Sequence, residues 1–181
     1  MALLSRMRMT GQADTATAEA DVEAHQPFDC EHVVPRSWFA KAEPMRGDLH
    51  HLFACESRCN SFRGNTPFAE FPDFPTTPPP EAAMSAVRTD CGKSAENGFE
   101  PANGKGAAAR GVLLPAALPR THLSRGDAPE RWEVMVTWHE RDPVTTWELH
   151  RNAAIFERQG NRNPFIDHPE WVPQIAARPP R

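Results

Sequence analysis

The chain has 181 residues, a net charge of -4, 39% hydrophobic residues and a mean hydropathy of -0.60. That length holds one ordinary hydrophobic core, the composition lies above that of disordered chains, and the mild acidity excludes a globally basic nucleic-acid-binding surface, so any polyanion contact must be local. Nineteen prolines beside ten glycines and no tyrosine predict long loops, because proline suits neither helix interiors nor central strands.

In chain order, "MALLSRMRMTGQADTATAEADVEAHQ" lacks the continuous apolar core of a secretion signal, and no apolar run approaches the roughly 20 residues that span a bilayer. Residues 1–26 are therefore expected to be a tail, either a short helix or frayed, on a soluble chain with no membrane partner. The domain is expected over residues 27–175, with residues 176–181 as a C-terminal tail. From Phe28 to Phe74 polar residues alternate with short apolar runs, the pattern of a site built on small elements. The segment "FPDFPTTPPPEAAMSAV" then reads as an extended surface connection. "GFEPANGKGAAARGVLL" predicts a turn and a helix from Lys105 that Pro115 should stop or kink. Its "GFEPANGKGA" resembles a P-loop only superficially: five residues separate Gly98 from Gly104 where the motif has four, and Gly106 replaces the Ser or Thr. Between Pro129 and Gln159, Trp132, Met135, Val136 and Trp138, then Trp147, Ile155 and Phe156, suit the core faces of two amphipathic helices broken at Asp142–Pro143. Gly160 stands where the second helix should end.

Glu31 and His32 are adjacent in "CEHVVPRSWF". Phosphodiester hydrolysis by in-line displacement needs a base where water attacks and charge neutralisation where the sugar oxygen leaves. Neighbours on a strand point to opposite faces, so a carboxylate and an imidazole side by side serve both tasks where the strand ends beside the phosphate. Histidine is the base because its ordinary pKa of roughly 6.5 leaves it neutral near pH 7. Glu31 is the ligand for a hard cation such as magnesium, which keeps waters and substrate oxygens for most of its positions. A second oxygen comes from Asn60, inside a short helix expected over Cys55–Arg63 and closed by Gly64. Arg63, three residues on, lies on the same helical face and is placed to hold a phosphate oxygen. Taken singly, each has a structural alternative: Asn60 as a cap, Glu31 and His32 as surface groups, Arg63 as a solvated side chain.

Taken together, "EHVVPRSWF", "PMRGDLHHLF" and "CNSFRGNTPF" resemble, in order and spacing, the bacterial endonuclease I family of nonspecific nucleases with a ββα-metal (His-Me finger) site. Two later stretches, "FEPANGKGAAAR" and "DPVTTWELHRNAAIFERQGNRNPFIDHPEW", extend the resemblance over Phe28 to Trp171. It implies an α+β fold: a ββα-metal finger at about residues 28–68, surrounding helices and long Pro-rich loops. It further implies His32 as general base on the first strand, Glu31 and Asn60 as ligands of one catalytic magnesium for which manganese substitutes, and "DLHHL" as the second strand. Asp48, His50 and His51 would orient the base or line the groove. Two departures stand out: the family is commonly exported whereas no signal is seen, and Pro115 interrupts the helix after Arg110.

Cys30, Cys55, Cys59 and Cys91 surround the finger. A structural tetrathiolate zinc, a disulfide such as one from Cys91 to the finger, and free cysteines are the alternatives. Backbone contacts suffice for sequence-independent cutting, and the candidate phosphate contacts are Arg36, Lys41, Arg46, Arg58, Arg63, Arg110, Arg151 and Arg162. The expectation is a monomeric, magnesium-dependent endonuclease acting on DNA and also RNA. Its rival is an inactive, zinc-stabilised module of the same architecture that binds nucleic acid or protein.

Overall fold

The computed structural model describes residues 28–74, 89–95, 98–117 and 128–176. The expected N-terminal tail, most of the proline-rich connection and residues 177–181 lie outside them. Strands β1 (Phe28–His32) and β2 (Leu52–Glu56) form an antiparallel hairpin in which His32 pairs with Leu52 and Glu31 with Phe53. β2 runs directly into α1 (Ser57–Arg63), which ends at Gly64 with φ 58°. Between the strands lie three single 3-10 turns, Arg36–Phe39, Met45–Gly47 and Leu49–His51.

These boundaries correct two expectations. "DLHHL" is not a strand: Asp48 caps a 3-10 turn by accepting the His50 amide at 3.0 Å, and the strand starts at Leu52. The reason is steric, since His50 and His51 are both buried and consecutive strand residues cannot turn to one side. Cys55 and Glu56, expected in the helix, complete the ladder opposite Asp29 and Phe28.

A second hairpin, β3 (Gly92–Ala95) with β4 (Gly98–Pro101), is tied to the first region by a parallel bridge between Phe68 and Phe99. Helix α2 (Lys105–Ala117) follows, apolar on nearly every face and buried at Ala109, Leu113 and Leu114, as expected of a central helix. It runs through Pro115 instead of stopping there. The proline costs the helix one backbone bond, and its ring is buried. Gly111 lets α2 approach the hairpin: an added Cβ would lie 3.0 Å from the Val33 side chain and 3.3 Å from the His50 carbonyl.

The break at Asp142–Pro143 separates α3 (Ala128–Arg141) from α4 (Thr146–Gln159). Thr145 and Glu148 form a capping box at the start of α4, and Gly160 ends it with φ 79°. Two short helices, α5 (Pro164–Asp167) and α6 (Val172–Ala176), close the described chain. Met135, Trp138 and Ile155 are buried as expected, but Phe156 is 50% exposed; seven residues after exposed Leu149, it lies on the outer face of α4. The core joins Val33, Phe68, Phe99, Leu113, Met135 and Trp138. A smaller cluster of Val34, Phe39 and Met45 anchors the segment between the first two strands. No helix among the described residues is long and apolar enough to cross a membrane.

Candidate active site

Consecutive residues of β1 meet different neighbours. Glu31 reaches α1, where its carboxylate accepts from Nη1 of Arg63. Burial pushes the Glu31 carboxyl above the usual carboxylate range, and the guanidinium opposes that shift. His32 meets the segment between the strands: its Nε2 lies 3.0 Å from the Arg46 carbonyl oxygen. Its ring stands edge-on to His51 with centroids 5.4 Å apart and tilts against Phe39 at 6.4 Å. A carbonyl oxygen only accepts, which assigns the proton of the neutral ring to Nε2 and the lone pair to Nδ1.

Asn60 sits on the second turn of α1, and its Nδ2 donates to Asp29 Oδ2 at 3.3 Å. With the amide nitrogen engaged there, Oδ1 has no protein donor among the described residues. Glu31, Asn60 and Arg63 line one cleft of about 280 Å³. A carboxylate and an amide oxygen are hard donors, suited to a magnesium ion that retains several waters. Among the described residues no three His, Cys, Asp or Glu side chains converge to hold a metal by themselves, so the donor set fits a hydrated cation, not a protein-caged one.

Comparison with known proteins bears directly on this arrangement. A family model described as Endonuclease I matches residues 4–170. The chain belongs to the endonuclease I family. It is 34% identical over 162 residues to the extracellular ribonuclease of Bacillus amyloliquefaciens, covering 80% of this chain and 52% of that protein. The corresponding protein of Bacillus subtilis (strain 168) is 35% identical with the same coverage. A periplasmic deoxyribonuclease of Aeromonas hydrophila is 28% identical over 130 residues, 71% of this chain and 50% of that one. The chain thus spans about half the length of the curated relatives it matches.

In this endonuclease I family chain the basic residues distribute unevenly. Arg63 is 4% exposed; besides Glu31 it donates to the carbonyls of His32 and Val33, each at 2.9 Å, and stacks over Phe68. It is thus a buried brace between α1 and the end of β1. Arg110 is also buried, in a two-point bond to Glu148 at 2.7 and 2.9 Å that ties α2 to α4, which takes it out of reach of a phosphate. Arg162 pairs with Asp167, Arg46 with Glu43, and Arg58 with Asp90. Arg151 donates to the carbonyls of Leu49 and Leu52 and lies over Phe53. Arg36 and Lys41 are exposed on the segment that also carries the Arg46 carbonyl; neither has an ion-pair partner among the described residues.

The histidines after Asp48 are interior. His50 Nε2 meets the Asn161 carbonyl at 3.2 Å and His51 Nε2 the Met45 carbonyl at 2.5 Å. Burial lowers both pKa values. Asp48 accepts from Gln159 Nε2 at 2.7 Å besides capping the turn. Of the three, His51 touches His32.

The cysteines do not make a tetrathiolate. Cys59 and Cys91 are joined in a disulfide, while Cys30 and Cys55 are free. Of the three alternatives this is the disulfide from Cys91 to the finger, and a disulfide sulfur is no thiolate ligand for a zinc. Burial also pushes the Cys55 thiol up to about 11, which keeps it neutral. Sequence reasoning missed Asp29, whose contact with Asn60 was readable in principle: two residues before Glu31 on a strand is the same face.

Proposed function

We propose that the chain is a metal-dependent endonuclease that hydrolyses phosphodiester bonds of DNA and RNA with little sequence specificity. The observation that carries this reading is the division of labour at the end of β1. Glu31 lies with Asn60 on one cleft, while the next residue, His32, is held from the other side by the Arg46 carbonyl. Family membership supports the reading, as do relatives named for ribonuclease and for deoxyribonuclease activity.

Glu31 and Asn60 would hold the ion. A bound magnesium supplies charge neutralisation at the phosphate and at the departing sugar oxygen. His32 accepts the proton of the attacking water at Nδ1 as the new oxygen–phosphorus bond forms and the bond to the sugar oxygen breaks. In the neutral ring the Arg46 carbonyl accepts the hydrogen bond of the Nε2 proton, which leaves the Nδ1 lone pair as the acceptor. Arg63 holds the Glu31 carboxylate and, through the His32 and Val33 carbonyls, the strand end that carries both groups. Arg36 and Lys41 supply backbone contacts, which carry no base information.

Pairing of Cys59 with Cys91 leaves only Cys30 and Cys55 as free thiols, which argues against the zinc-stabilised module as the better reading. That same bond suits an oxidising compartment and, with relatives named extracellular and periplasmic, supports an exported enzyme. The test incubates the purified chain with supercoiled plasmid and with RNA, in magnesium and in excess chelator. Nicked and linear plasmid and shortened RNA are expected only with free metal. Cutting that persists in chelator contradicts the metal dependence, and intact substrates in magnesium, manganese and calcium alike contradict the nuclease reading.

A further inference from the structure

Each of the two proposed ligands is held from the opposite element. Glu31 of β1 accepts from Arg63 of α1, and Asn60 of α1 donates to Asp29 of β1 at 3.3 Å. The pattern follows from the two periods. Asp29 and Glu31, two apart on a strand, share the face turned to α1, and Asn60 and Arg63, three apart on a helix, share the face turned to β1. Each element thus supplies one ligand and the side chain that holds the other's. Arg63 is a buried brace, whereas Asp29 is exposed. Resting on the nuclease reading, we propose that Asp29 is a positioning residue of the metal site: it fixes the Asn60 amide so that Oδ1, and not Nδ2, is the end presented to the ion.

The chemistry of the pair carries this. A side-chain amide has a donor end and an acceptor end, and its terminal torsion is broad and roughly two-fold, so an unrestrained Asn60 exchanges the two. Only the oxygen suits a hard cation. An ionised carboxylate only accepts, so Asp29 engages the amide nitrogen and leaves Oδ1 as the free end. Glu31 needs no such selection, because its two oxygens are equivalent. Asp29 is not placed as a third ligand: it is not among the residues lining the cleft with Glu31 and Asn60. Nor do three His, Cys, Asp or Glu side chains converge on a metal position among the described residues.

The test measures manganese affinity from the electron paramagnetic resonance of the free ion, on the full chain carrying Asp29→Ala in two backgrounds. Plasmid cutting in manganese is followed alongside. In the native background, loss of a ligand's outer partner is expected to weaken binding by about tenfold or more, with denaturant unfolding as in wild type. In an Asn60→Asp background either oxygen can meet the ion, so orientation no longer matters and Asp29→Ala should shift the affinity by about twofold or less. Wild-type affinity in Asp29→Ala alone overturns the positioning role. So does an equal loss in both backgrounds, which would make Asp29 a ligand or an independent charge. Either result leaves the nuclease reading intact where the wild type binds manganese and cuts plasmid. A wild type that neither binds the ion nor cuts overturns that reading, and the role of Asp29 with it.

Discussion

Arg63 shows how far a residue's chemistry can be read and its role misassigned. Its position three residues after Asn60 is legible from helical spacing, but the sequence does not say that the guanidinium turns inward. Phe68, five residues on, forms the surface it lies against at 4.3 Å. Replacing Arg63 by Met leaves Glu31 half-enclosed with no positive partner and two strand-end carbonyls with no donor. Breaking a buried pair in this way costs about 3–5 kcal/mol. Denaturant unfolding of Arg63→Met should show that loss; unchanged stability with weakened substrate binding would restore the phosphate-holding role. Glu31, His32 and Asn60 stand out in the sequence because their residue types and order suit phosphodiester chemistry, and the fold brings Glu31 and Asn60 to one cleft. Asp29 does not, since a surface carboxylate has too many ordinary uses.

The elements were readable where their signals are local. The Asp142–Pro143 break and Gly160 place α3 and α4 within a residue or two of expectation, because each signal acts on its own backbone. β2 was misplaced by several residues because its start is set by tertiary burial of His50 and His51, which overrides local pattern. α2 likewise does not stop at Pro115, since core contacts at Leu113 and Leu114 outweigh one lost backbone bond. The Cys59–Cys91 bond was left open among three alternatives because pairing depends on the position of β3, which no spacing discloses. It anchors α1, one residue before Asn60, to the start of the second hairpin across 32 residues. Cys59→Ser with Cys91→Ser should lower stability by about 3–4 kcal/mol on chain-entropy grounds, measured by denaturant unfolding against the oxidised protein. Equal stability of the two would mean that other contacts hold α1 alone.

At the scale of the molecule, a net charge of -4 coexists with a site segment that exposes Arg36 and Lys41, while most of the arginines among the described residues are engaged in ion pairs or structural bonds. The interior also holds His50, His51 and His139, all with pKa values lowered by burial, and His139 lies 3.4 Å from Arg110. For His50 and His51 a second proton would sit on Nδ1, which is buried without a partner among the described residues. In the unfolded chain these rings titrate near 6.5. Between that value and their lowered folded values the unfolded state binds protons that the folded state refuses, so stability rises with pH through this window and levels off above it. Glu31, raised by burial, acts in the opposite sense: its contribution is present below the ordinary carboxylate value and is lost as pH rises through its folded value. Three rings against one carboxyl predict a melting temperature that falls from pH 7 to pH 5.5; a flat or rising profile would show that the histidines are hydrated or paired when charged.

The central claim is that one residue of β1 moves the proton and its neighbour, with Asn60, holds the ion. The most direct measurement compares wild type and His32→Ala for plasmid cutting at saturating magnesium, with magnesium affinity measured calorimetrically on the same two preparations. Loss of a positioned general base should slow cutting by about 10²–10⁴-fold while the affinity for magnesium stays as in wild type. Cutting at the wild-type rate by a folded His32→Ala protein would contradict the assignment of the base.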